Sequence, residues 1–226
     1  MKHIVLWIMG CLFCGVVNAQ EQQLFDEYLR EAGDRAEMFV GKMETGYSSM
    51  AFINHPYWAD EEFLSGEVRY KGLLYKNVLL RYDAYLKQLV VKTPVKQSNV
   101  YIPMHLVEGF AIEGTVYAKY NDEFMAVLYD GSQIDMVEQM RVSLKENMNH
   151  DKLQYEFKRK ATYYLLSDGR MHEISNMRSV LKLYPGFEKE LKRFAKVNNL
   201  DFREARLYSL ISMVKYADEL LAKSLK

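Results

Sequence analysis

From residue 63 to residue 166 the chain is written in short apolar runs of period two, broken by turn residues, and antiparallel sheet is what such a stretch can fold into. Val68 and Tyr70 alternate with Glu67 and Arg69, while Val78, Leu80 and Tyr82 oppose Leu79 and Arg81. Side chains of an extended strand point to alternate faces, so this pattern predicts strands with one covered side and one side partly in water. Turns are expected at Lys71-Gly72, Thr93-Pro94, Asn121-Asp122, Asp130-Gly131 and Ser167-Asp168-Gly169, because Gly, Asn and Asp accept positive φ and Pro presets a bend. Between them lie strand candidates at 73–75, 89–91, 100–104, 106–112, 115–120, 124–129, 134–143 and 155–166, the spacing of a meander. Lys and Arg are frequent in the last two, which predicts an edge or a solvated face.

Helical periodicity flanks this block. Leu24, Phe25, Tyr28, Leu29, Ala32 and Ala36 predict a short helix over 21–35. Ser175 or Asn176 caps a helix ended by Pro185-Gly186. Phe187, Leu191, Phe194 and Val197 form the next stripe. Asp201, with Glu204 three residues on, is placed to cap a last helix whose apolar face is Leu207, Leu210, Ile211, Val214, Leu221 and Leu225. The fold class expected is therefore α+β: an antiparallel meander, curled or half-barrel, with an N-terminal helix and C-terminal helices packed on it. Residues 20–226 are expected to form a single domain, mainly β over 40–170 and helical over 175–226.

The start of the chain carries a different message. Lys2 and His3 precede an apolar run from Ile4 to Val17, and Val17-Asn18-Ala19 offers the small residues of a cleavage site before Gln20. Residues 1–19 thus predict a signal peptide and an exported, periplasmic or cell-surface protein. The run is 14 residues long and contains Gly10 and Gly15, short of the roughly 20 needed to span a bilayer, so no transmembrane segment is expected in the mature chain. Ile8-Met9-Gly10-Cys11 is close to a lipoprotein signal, but Met9 fits it poorly and cleavage there would leave 12–17 as an apolar tail. Both cysteines, Cys11 and Cys14, fall inside the signal. The mature protein then lacks disulfides, a thiol nucleophile and thiolate metal ligands. Lys+Arg and Asp+Glu are 30 each, which leaves no net field to attract nucleic acid.

Some of these residues look familiar together. His55-Pro56-Tyr57-Trp58, then Gly66-Glu67-Val68-Arg69-Tyr70-Lys71-Gly72, Tyr75-Lys76-Asn77-Val78 and Arg81-Tyr82-Asp83 follow a G-x-V-x-Y-x-G-x-x-Y-x-N-V pattern with a later Y-D. This resembles a family of uncharacterised secreted proteins of Bacteroidetes. Phe124, Val127, Leu128, Tyr129, Asp130 and Gly131 resemble its second marker, and 187–200 its helical tail. The resemblance implies an exported α+β protein and carries no activity or ligand with it. Leu86-Lys87 departs from the polar turn usual there, which implies a longer hairpin.

No catalytic motif stands out. The histidines after the signal, His55, His105, His150 and His172, lack the helical ligand spacing of a zinc site, and 121–123 lacks a calcium loop; no metal or cofactor is expected. There is no G-x-S-x-G elbow, no S-x-x-K and no phosphate loop. Asp83 and Asp130 each follow a tyrosine at a strand end, so a hydrolase using them with His105 is one reading; as turn formers they would instead accept backbone N–H bonds. The leading expectation is a non-enzymatic binding or structural module of the envelope. An envelope protein, a glycan or a lipid would rest on exposed aromatics among the 17 tyrosines, with Trp58, Tyr70, Tyr82 and Tyr117 as contact candidates.

Overall fold

The computed structural model describes residues 19–48, 51–149 and 152–224. Residues 1–18 of the expected signal peptide 1–19, with Cys11 and Cys14, and also His150 and Leu225, lie outside them. Among the described residues twelve strands are present: β1 (Lys42–Met43), β2 (Phe52–Ile53), β3 (Leu64–Tyr70), β4 (Leu73–Asp83), β5 (Gln88–Lys92), β6 (Asn99–Tyr101), β7 (Val107–Ile112), β8 (Thr115–Tyr120), β9 (Glu123–Asp130), β10 (Asp135–Asn149), β11 (Lys152–Ser167) and β12 (Arg170–Ile174). The helices are α1 (Ala19–Ala32), α2 (Met177–Leu183), α3 (Glu188–Val197) and α4 (Arg206–Ser224). The fold is α+β and dominated by antiparallel pairing, in the order β1-β6-β5-β4-β3-β7-β8-β9-β10-β11-β12, with β2 parallel to β11. The expected curl or half-barrel is not seen. The order is open, since β1 and β12 each have one neighbour, and β1 is two residues long and already paired to β6. The chain divides into two compact units, one of residues up to Phe124 plus Met140–Lys160, the other of Met125–Gln139 and Ala161 onward.

Tight turns set the register of the first unit. Lys71-Gly72 and Glu113-Gly114 have φ of 51° and 77°, and 46° and 81°, the double left-handed geometry of the type I′ hairpin that matches strand twist. Asn121-Asp122 does the same with 48° and 64°. A bulge then sorts the side chains. Gly66 faces Val78 and Val68 faces Tyr75, so two steps on β3 oppose three on β4, and Asn77 sits in the left-handed region at φ 54°. The extra residue puts Tyr75 on the same face as Val78, Leu80 and Tyr82. Phe110 opposite Val68 and Tyr117 opposite Phe110 continue that face, and all of these are buried. Phe25 of α1 meets Tyr75 edge-on at 5.0 Å.

In the second unit, Ile134, Met136, Leu165 and Ile174 pack with Leu191, Leu210, Met213, Val214 and Ala217. As the sequence predicts, Asn176 caps α2, in a reciprocal box with Ser179. Asp201 does not cap α4 itself. Its carboxylate accepts the N–H groups of Arg203 and Glu204 at 2.8 and 3.0 Å and closes the turn ahead of the helix. Asp130-Gly131 is not a tight turn either. The loop 131–134 is held by Asp218 of α4, whose Oδ1 accepts from Gln133 N and Ile134 N at 2.7 and 2.9 Å. Asp218 Oδ2 accepts from Ser132 N at 2.9 Å, Tyr129 Oη at 3.0 Å and Ser132 Oγ at 3.3 Å. Gly131 is needed there for closeness, since a Cβ would lie 2.3 Å from Ile134 O and 2.8 Å from Asp218 Oδ2.

Candidate functional site

The four aromatic contact candidates belong to the core. Trp58, Tyr70, Tyr82 and Tyr117 are 8, 2, 4 and 2 % exposed. Trp58 N donates to Tyr82 O at 2.9 Å, which brings the indole edge-on to Tyr117 at 5.2 Å; Tyr117 in turn stacks on Phe110 at 4.7 Å. As they stand, these rings offer a ligand almost no surface. The Asn77 bulge keeps them together on the covered face.

The opposite face of β4 is built differently. Arg81 points there, beneath the segment to which residues 44–48 and 51–63 belong. That segment adds itself beside the end of β4 by Ala84 N to Pro56 O at 3.1 Å and by a Tyr57–Asp83 bridge. Glu44, its side chain 1 % exposed, meets Arg81 Nη2 at 2.7 Å. Glu44 also accepts from Tyr57 Oη at 2.9 Å and Asn99 Nδ2 at 3.2 Å. The guanidinium lies between two rings, 3.9 Å from the Tyr57 centroid and 4.3 Å from that of Phe63, an arrangement favoured by the ring quadrupoles. Arg81 Nη1 donates to Glu61 O. Arg81 Nε is buried without a hydrogen-bond partner among the described residues.

Asp83 lies beside this cluster, fully buried. Its Oδ2 accepts from Tyr47 Oη at 2.7 Å, and its Oδ1 from the N–H groups of Tyr85 and Leu86 at 2.9 and 2.8 Å. It thereby organises the four-residue connection between β4 and β5. Burial raises its pKa above the ordinary carboxylate range against the pull of these hydrogen bonds. The Tyr47 and Tyr57 hydroxyls are also pushed up, first by burial and then by the carboxylates they face, so they stay protonated donors. Asp130 is exposed at the end of β9 in the other unit, and His105 is exposed on the single turn 104–106. No hydrogen bond or ion pair joins Asp83 to His105 among the described residues.

A pocket of about 310 Å³ opens at this cluster, lined by Tyr47, Phe52, Asn54, His55, Tyr57, Glu61 and Arg81 with Gly46 and Pro56. Its walls are aromatic: Tyr47 meets Phe52 edge-on at 5.2 Å, and His55 stacks on Tyr57 at 5.9 Å. Its polar groups are Asn54, Glu61 and the guanidinium. His55 has its pKa lowered, by burial first and by the nearby Arg159 charge second, so the imidazole is neutral at neutral pH. His55 Nδ1, next to the Tyr57 backbone, makes no hydrogen bond of normal geometry. Of the lining residues, the sequence reading singled out His55 only as a metal candidate and missed the rest. The available signal was Arg81, a charge in a strand whose neighbours on both sides are apolar. Among the described residues no three of His, Cys, Asp and Glu converge on a metal position, and no helix is long and apolar enough to cross a membrane. Against known proteins, the chain matches no family model, no curated protein and no solved structure.

Proposed function

We propose that this chain is an exported, non-enzymatic binding module of the cell envelope, with its ligand site in the pocket between segment 46–57, Glu61 and Arg81. The pocket itself carries the reading: an aromatic-walled hollow with a few convergent polar groups is the ordinary form of a small-molecule site, and 310 Å³ is at the lower end of the usual range of about 300–1,000 Å³. The signal-like residues 1–19 and the resemblance to secreted Bacteroidetes proteins support export. The setting of Asp83 favours binding over hydrolysis, because a fully buried carboxylate that already accepts three hydrogen bonds is held away from any substrate.

Chemical-shift mapping on the ¹⁵N-labelled protein with chitotriose, dihexanoyl phosphatidylcholine and trialanine tests this. At least one probe should shift the amides of 46–47, 52–55, 57, 61 and 81 and be recovered intact by mass spectrometry. Cleavage of a bound probe would turn the assignment to the hydrolase, and no shift at these amides with any probe would remove the pocket as the site.

A further inference from the structure

Resting on that reading and narrowing it, we infer that the pocket's ligand is an uncharged sugar ring, seated against the half-buried Phe52 and Tyr47 wall with its hydroxyls on Asn54, Glu61 and Arg81. Size argues first. A hollow of about 310 Å³ has room for one small ring system. Charge argues next. The single guanidinium in the wall is already neutralised by Glu44 at 2.7 Å, and its Nη1 is taken by Glu61 O. A carboxylate or phosphate entering here would face Glu44 behind the guanidinium and Glu61 at the mouth, with Asp60 close enough to act on His55. The opposing cation, Arg159, sits where its Nη1 reaches the Tyr57 carbonyl at 3.4 Å. The local charge is thus balanced or negative, which disfavours an anion.

What the wall lacks is a neutral partner. Arg81 Nε is a donor with no acceptor, and a buried donor left unpaired is destabilising. A hydroxyl or ring oxygen seated against that wall supplies an acceptor without adding charge. Asn54 and the Glu61 carboxylate accept from hydroxyls, and neutral His55 both donates and accepts. Aromatic rings beside such groups suit the C–H faces of a sugar, which are apolar while its edges are polar. Glu61 and Asn54 are exposed, so they meet a guest without prior rearrangement of the core.

The test is an NMR titration of the full chain with D-glucose, D-galactose and N-acetyl-D-glucosamine against D-glucuronate and inorganic phosphate. A neutral sugar should shift the amides of 52–55, 57, 61 and 81 with a millimolar dissociation constant. Glu61→Gln, an exposed change that leaves the fold alone, should weaken it about threefold or more, and Phe52→Ala at least tenfold. If glucuronate or phosphate shifts these amides and the neutral sugars do not, the sugar class is wrong while the binding pocket stands. If no sugar, chitotriose included, acts there but phosphatidylcholine or trialanine does, the inference also fails on its own. Silence from every probe overturns both.

Discussion

Asp218→Asn should unfold the second unit's loop with a loss of about 3 kcal/mol, and the size follows from five hydrogen bonds. The carboxylate is 4 % exposed. Its Oδ1 serves Gln133 N and Ile134 N, and its Oδ2 serves Ser132 N, Ser132 Oγ and Tyr129 Oη. An amide keeps one oxygen. With that oxygen on the buried Ile134 side, two backbone bonds survive but drop from charge-assisted to neutral, a loss of about 1 kcal/mol each. The two hydroxyls can rotate and accept from the new NH2. Ser132 N–H cannot, and an orphaned N–H costs about 1 kcal/mol at an exposed position. In a chain of this size the midpoint of thermal unfolding should fall by roughly 6–12 °C, with faster amide exchange confined to 132–134. The acid limb supplies a second check. Asp218 has its pKa lowered, by hydrogen bonds that outweigh burial, so its contribution is complete above the ordinary value of about 3.9 and is lost as pH falls through the depressed one. The difference between wild type and Asn variant should shrink there. A midpoint unchanged to within about 2 °C at pH 7, with 132–134 still protected, would refute the clamp.

Three further outcomes are expected. Glu44→Gln strips the counter-charge from a guanidinium that is 13 % exposed and should destabilise by about 3 kcal/mol in urea titration, while the double variant Glu44→Gln/Arg81→Met should recover part of that loss; additive costs would mean the pair is not coupled. Gly131→Ala should cost about 2–3 kcal/mol by overpacking against Ile134 O, whereas Gly72→Ala, at φ 77° in open space, should cost only about 1 kcal/mol; equal losses would show that backbone torsion rather than contact decides. Asp135 has its pKa pushed up to about 6 by burial, with Asp130 and Asp218 adding to it. A raised carboxylate holds its proton longer in the folded state, so it makes stability fall as pH rises from about 4 to 6. Asp135→Asn should flatten that limb in pH-dependent melting, and an unchanged slope would contradict the assignment.

The hairpins were legible because their causes are local. Asn121-Asp122 and Asp168-Gly169 each supply two residues that tolerate positive φ and Lys71-Gly72 supplies one, and each turns between paired strands. The bulge at Tyr75-Lys76-Asn77-Val78 was not anticipated, although apolar residues three apart in a strand share a face only if one residue is extra. Asp130-Gly131 misled for the converse reason. It has the composition of a tight turn, yet its geometry is set by Asp218, which lies more than 80 residues on in α4. β12 was missed because Arg170-Met171-His172-Glu173-Ile174 shows little alternation, and it forms through pairing with β11. Asp201 was expected to cap the last helix, but its carboxylate closes the turn at Arg203 and Glu204, ahead of a helix that begins at Arg206.

The site was illegible for a physical reason. It is made where an aperiodic segment, 44–63, crosses the face of β4 that alternation marks as wet, and Arg81 looks solvated until Glu44, Tyr57 and Phe63 are laid over it. A buried ion pair of this kind is a poor way to stabilise a core, because desolvation offsets most of the attraction and apolar residues of equal volume would do as well or better. What the pair does here is positional. One guanidinium holds the Glu44 carboxylate, the Glu61 carbonyl and the Tyr57 and Phe63 rings in a single arrangement, while Glu44 fixes the Tyr57 hydroxyl and Asn99. Those are the elements that shape one wall of the pocket. Replacing the pair by Gln and Met should therefore leave a folded chain that has lost the order of that wall, and ligand binding should fall further than stability does.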